Sequence, residues 1–184
     1  MTLDDPDDDA LFKATGEGDQ IAFNRLVQRH APRLYAIARR YGCATADADE
    51  IVQDTFWRAW NSAGDWQPGG AKVATWLYRI AVNRIIDHRR SIKRRPEDPM
   101  DDKDDFVDAA ASPEQALDDR QKMAFMQAAI GALPDRQRMA IILSTQQGKS
   151  NAEIARIFDV TEGAVEQLMV RARRALRESY RRLQ

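Results

Sequence analysis

The stretch SNAEIARIFDVTEGAVEQLMVRARRAL, residues 150–176, decides how the rest of the chain is read. Ser150 with Glu153 three residues later is a capping box, in which the hydroxyl takes an amide and the carboxylate reaches back. A short helix should follow through Ile157. Phe158-Asp159-Val160 leaves room only for a tight connection, and Thr161 can cap a second helix. In that second helix Val165, Leu168, Ala172, Leu176 and Tyr180 recur at steps of three and four, an inward stripe. A short helix, a tight turn and a longer basic helix form a helix-turn-helix. Helical hairpins in general share much of this pattern, so it needs support from elsewhere in the chain.

The rest of the chain is helical too. Phe23, Leu26, Val27, His30, Leu34, Ile37 and Tyr41 make one amphipathic stripe, in which Pro32 predicts a kink or a fresh start. A second helix is expected from about 47 to 60, closed by Asn61-Ser62-Ala63-Gly64 and the loop Gln67-Pro68-Gly69-Gly70. A third should run from about 72 to 90. Residues 96 to 113 have linker composition, with Pro96, Pro99 and a run of Asp. Helical pattern resumes from 114 to 130, breaks at Leu133-Pro134, and returns from 135 to 147 before Gly148. No stretch alternates with period two, so no sheet is expected. The predicted fold is all-α: two small helical domains joined by an acidic linker.

Charge is segregated along the chain. The 184 residues balance 28 Lys and Arg against 29 Asp and Glu, yet residues 1–10 hold five Asp and no base. Residues 76–95 hold seven bases against Asp87 alone, 96–119 ten acids against Lys103, and 166–184 six Arg against two Glu. Such blocks read as polyanion-binding faces alternating with solvated acidic segments. The longest charge-free run is twelve residues, 123–134, short of the ~20 apolar residues a spanning helix needs. The acidic N-terminus is no secretory signal, which makes the cytoplasm the expected compartment. The lone Cys43 forms no internal disulfide and reads as a small buried residue at a helix end. His30 and His88 lie far apart, and no phosphate loop or nucleophile elbow appears. Neither an enzyme nor a cofactor or metal site is therefore expected.

Four strings carry a family resemblance: GDQIAFNRLV (18–27), EIVQDTFWRAW (50–60), TWLYRIAVN (75–83), and ALPDRQRMAIIL (132–143) followed by the stretch quoted first. In order and spacing they resemble the extracytoplasmic-function (ECF) sigma factors of the sigma-70 family. The resemblance implies an acidic N-terminal tail (1–9) and a sigma-2 domain (10–95) that binds core RNA polymerase and opens the minus-ten element. An acidic flexible linker (96–119) would thread through the polymerase, and a sigma-4 domain (120–184) would read the minus-thirty-five element. It also implies that Glu50, Gln53, Asp54 and Trp57 meet a coiled coil of the largest polymerase subunit. Minus-ten contacts would come from the loop at 65–74, with Gly69 and Gly70, and from Asn83, Arg84, Arg89, Arg90 and Lys93. An amide such as that of Asn83 can bond the edge of an extruded base. Minus-thirty-five contacts would come from Thr161, Glu166, Gln167, Val170, Arg171, Arg173 and Arg174. Glu166 departs from the Arg or Lys common at its position, so the promoter sequence does not carry over; a carboxylate can accept from cytosine N4. The expected partners are core polymerase, promoter DNA and an anti-sigma factor, which could hold the chain near a membrane, with no membrane insertion and no small-molecule substrate. A stress, envelope or metal response is the expected setting.

Within the residues themselves Phe56 and Trp76 read as core, and His88, among bases, reads as a phosphate contact. A free-standing helix-turn-helix regulator stays open as an alternative, though a second basic helix in the first domain counts against it. A DNA-processing enzyme would need strands that the pattern lacks.

Overall fold

The computed structural model describes residues 7–67, 69, 71–94 and 123–182. Among them every regular element is helical. The first domain comprises α1 (Asp8–Gly16), α2 (Gln20–Tyr41), α3 (Thr45–Ser62), a single 3-10 turn (Ala63–Asp65) and α4 (Val73–Lys93). The second comprises α5 (123–131), α6 (Asp135–Gln147), α7 (Asn151–Phe158) and α8 (Glu162–Arg181). The linker at 96–119 lies outside the described residues.

Each helix starts and stops for local reasons. Asp19 accepts from the amides of Ile21 and Ala22 to open α2, and Gly42, in the left-handed region at φ 91°, closes it. α2 runs unbroken past Pro32, so no fresh helix starts there. Proline deletes one amide bond, whereas the flanking stripe of Leu26, His30, Leu34 and Ile37 is buried and packs both halves onto the core. Asp8 and Asp9 belong to α1 rather than to a tail, because both find folded partners: Asp8 meets Arg29 at 3.0 Å and His30 at 2.8 Å, and Asp9 accepts from the Val73 amide at 3.0 Å.

The capping box of α7 forms as read: the Glu153 amide donates to Ser150 Oγ and the Ser150 amide to Glu153 Oε2. The bonds from Ser150 and from Lys149 pull the Glu153 carboxyl down to about 2 from its ordinary 4.5. Its folded value lies below its unfolded one, so its stabilisation is complete above about pH 4.5 and is lost as pH falls toward 2. Glu153→Gln is expected to lower the thermal midpoint at neutral pH and to leave it nearly unchanged near pH 2, so that the acid limb between is flattened.

Two cores result. Leu26, Leu34, Ile37, Leu77 and Ile85 are fully buried in the first domain, and Met139, Ile142, Leu143, Ile154 and Val165 in the second. Phe56 is buried and Trp76 packs partly buried on the first core, both as read. Cys43 is buried just after α2, which pushes its thiol up to about 11 and leaves it unreactive at neutral pH.

The two domains also touch one another, a feature that periodicity cannot reveal. Asp135, at the start of α6, accepts from Tyr41 Oη at 3.0 Å and from Arg90 Nε at 2.9 Å. Arg138 lies 4.6 Å from the centroid of the Tyr41 ring. Arg79 of α4 donates to the Arg156 carbonyl at 2.7 Å and to Asp159 Oδ1 at 3.2 Å, beside the α7–α8 turn. Lys149 sits over Tyr78. Burial and the Asp135 carboxylate hold the Tyr41 hydroxyl far above its ordinary value, so it stays a donor at any physiological pH. Burial, together with the Arg89 charge, lowers Arg138. Asp135→Ala removes the acceptor for two interdomain donors. With both bonds gone, the contact between the domains should weaken. Fluorescence transfer between dyes on the two domains is expected to fall in this variant at unchanged helix content.

Candidate functional site

Three surfaces stand out. The first is an apolar cleft between α2 and α3, of about 430 Å3, lined by Phe23, Val27, Val52, Phe56, Trp57 and Trp60 with Gln53 at its side. The Phe23 ring packs edge-on against Phe56 and Trp60, with centroids 6.1 and 5.0 Å away. Trp57 is 66% exposed, a large apolar side chain standing at the cleft with no core to fill. Glu50 and Gln53 are exposed along the same helix. Asp54 differs: its carboxylate is 3.0 Å from Arg58 and 2.7 Å from Arg84, tying α3 to α4.

The second surface is α4 with the loop before it. Asn83 is exposed. Arg79, Asn83, Ile86 and Arg90 fall at successive helical turns, so Asn83 lies between the two arginines that grip the second domain. Arg84 faces Asp54, and Arg89 donates to the Gly42 carbonyl at 3.1 Å. Three of the basic side chains read as DNA contacts therefore have partners within the protein. His88 stands 3.0 Å from Asp47, an acidic partner in place of the phosphate expected of it. Gly69 is exposed with φ 107°, a backbone that only glycine adopts without strain. Gly70 and the side chain of Lys93 lie outside the described residues.

The third surface is α8. Thr161 caps it by accepting from the Ala164 amide, which engages its hydroxyl. Glu166, Gln167, Val170 and Arg171 are exposed at the start of the helix, and Val165, Met169 and Ala172 are buried behind them. Arg173 and Arg174 are exposed further along, Arg174 paired with Glu178 at 2.8 Å. Such an exposed pair is screened by solvent and yields readily to a phosphate. No cluster able to hold a metal occurs among the described residues. No described helix is long and apolar enough to cross a membrane.

The chain is similar to known proteins. Residues 26–95 match the family model for sigma-70 region 2, and residues 124–176 the model for sigma-70 region 4. The chain is 36% identical over 169 residues to the ECF RNA polymerase sigma factor SigM of Mycobacterium tuberculosis, covering 92% of this chain and 82% of that one. A solved structure of CnrH in complex with the cytosolic domain of CnrY superposes with a TM-score of 0.69 at 30% identity, over 93% of this chain and 95% of the other. The sigma factor RpoE from Bartonella quintana, solved with the anti-sigma factor NepR, gives 0.61 at 26% identity, over 86% and 96%.

Proposed function

Because the chain belongs to the sigma-70 family of RNA polymerase sigma factors, in its extracytoplasmic-function branch, we propose that it joins core polymerase through the α3 cleft and reads promoter DNA through α4 and α8. It is an alternative sigma factor, a transcription initiation factor that lends core polymerase its choice of promoter. The observation that carries the assignment of surfaces is their chemical division. The cleft around Trp57 is almost wholly apolar, as a protein partner requires. The α8 face mixes a carboxylate, an amide and a methyl-bearing side chain with flanking Arg, as base readout requires.

The first domain melts and holds the minus-ten element, with Asn83 taking an extruded base and the 65–74 loop beside it. The second docks α8 in the major groove at the minus-thirty-five element, where Arg171, Arg173 and Arg174 grip phosphate. The acidic stretch at 96–119 occupies the basic RNA path of the polymerase, from which RNA later displaces it. No covalent chemistry is its own; the polymerase supplies that. It works in the cytoplasm, where polymerase and promoters are. CnrH is bound by the cytosolic domain of CnrY, and RpoE by the anti-sigma factor NepR. An anti-sigma factor covering the Trp57 cleft is the corresponding partner here.

Promoter binding requires the domains to part. Minus ten and minus thirty-five lie ~25 base pairs apart, or ~85 Å at ~3.4 Å per pair. Residues joined at 3.0 Å, as Tyr41 and Asp135 are, cannot span that. Opening also frees Arg79 and Arg90 on either side of Asn83.

The test is base preference on a randomised promoter pool transcribed by core polymerase with this protein. Glu166→Lys is expected to change the preferred minus-thirty-five bases, at ~1–3 kcal/mol per base contact. Arg174→Ala should weaken all sequences alike. An unaltered profile for Glu166→Lys would remove that face of α8 from the base edges.

A further inference from the structure

We infer that α1 is a brace that sets the geometry of the minus-ten reading loop, with Asp9 and Gly16 as its positioning residues. The inference rests on the assignment of the 65–74 loop and Asn83 to the minus-ten element. α1 lies upstream of residues 26–95, the part that matches sigma-70 region 2.

Three contacts carry it. α4 opens without a cap of its own, since Lys72 at its N-cap offers no side-chain acceptor. The acceptor comes from 64 residues earlier: Asp9 Oδ1 takes the Val73 amide at 3.0 Å. A carboxylate there also meets the positive end of the helix. Phe12, fully buried, sits between Trp66 at 5.7 Å and Trp76 at 5.5 Å, one at the start of the loop and one just after it. Gly16 closes α1 so near the 3-10 turn that a Cβ on it would stand 2.4 Å from the Ala63 carbonyl oxygen. One short helix thus holds both supports of the loop, Ala63 and Trp66 on one side and Val73 and Trp76 on the other.

The brace is itself fixed. Asp7 caps α1 through the Ala10 amide, and Asp8 pairs with Arg29 and His30 of α2. A base-capturing site tolerates displacements of only ~0.5 Å before its contacts loosen. With both supports on one rigid element, the separation of the loop's ends is set by α1 rather than by the loop. Asn83 rides on the same α4 whose first amide Asp9 holds.

The test uses the full chain with core polymerase. Asp9→Ala removes the acceptor, Asp9→Asn keeps one, and Gly16→Ala pushes the 3-10 turn while suiting a helix better than glycine does. Phe12 is left intact, since emptying the core would confuse folding with function. Open-complex formation is measured with each of the four bases at every minus-ten position, beside core-polymerase affinity and thermal midpoint. Asp9→Ala and Gly16→Ala are expected to flatten base preference about fivefold or more at the captured position, with core affinity within twofold of the parent. Asp9→Asn should retain most of the preference. Unchanged preference in both folded variants would overturn the brace. So would loss of preference only in step with core affinity and thermal midpoint, which marks α1 as a stabiliser alone. Asn83→Ala, run in parallel, separates the two levels: if it leaves preference intact, the assignment of Asn83 fails whatever the α1 variants do.

Discussion

Trp57→Ala is expected to weaken binding to core RNA polymerase by ~30- to 1,000-fold, with little change in the protein's own stability. Truncating a tryptophan anchor at the centre of an interface costs ~2–4 kcal/mol, and each ~1.4 kcal/mol is tenfold. Trp57 meets the conditions for such an anchor. It is 66% exposed in the free chain, so partner binding has a large area left to bury, and it borders a cleft whose floor is Phe23, Val27 and Val52. Its exposure also keeps the test clean, because a surface truncation changes folding stability by ~0.5 kcal/mol or less. Asp54 on the same helix is a poorer probe. Its carboxylate already serves Arg58 and Arg84, so Asp54→Arg would face two cations and loosen α3 from α4 as well as alter the interface. Core affinity by fluorescence anisotropy, with circular dichroism beside it, reads the Trp57 effect. A folded Trp57→Ala protein that binds core normally would move the interface elsewhere.

Asn83→Ala is expected to slow open-complex formation by roughly one to two orders of magnitude while sparing closed-complex docking. The amide gains a partner only after a base leaves the stack, since that edge is otherwise paired in the duplex. A bidentate amide contact returns ~1–3 kcal/mol of the extrusion cost. Asn83 is exposed, which argues against a part in holding the fold. A pre-melted bubble template should restore part of the rate without restoring base preference at that position. Permanganate footprinting of the melted region reads the effect. Normal melting by the folded variant would take Asn83 out of the site.

What could be read from sequence was whatever is local. Ser150 and Glu153 announce their helix because a capping box is complete within four residues. The bounds of α6 were legible because Pro134 and Gly148 stop the chain on both sides. Pro32 starts no fresh helix, because its single missing bond is outweighed by a stripe buried along the whole of α2. The acidic start misled for a related reason: Asp8 and Asp9 look like a solvated run until Arg29, His30 and the Val73 amide are brought to them from 21 to 64 residues away. The exposure of Trp57 was equally hidden, since steps of three and four give a face but not what covers it. Nothing in spacing brings Tyr41 to Asp135, 94 residues on, or Arg79 to Asp159, because those contacts belong to how two finished domains meet. The family strings supplied what local pattern lacked, chiefly the division of labour proposed for α3, α4 and α8.

The most direct measurement is transcription in vitro of a fragmented genomic library by purified bacterial core polymerase, with and without this protein, with the start sites sequenced. The account predicts start sites that appear only when the protein is added. They should share one motif near minus ten and another near minus thirty-five, at a fixed spacing. New sites should vanish with Trp57→Ala, and the minus-thirty-five motif should alter with Glu166→Lys. No added start sites, together with sequence-specific DNA binding by the protein alone, would contradict the account and make the chain a free-standing helix-turn-helix regulator.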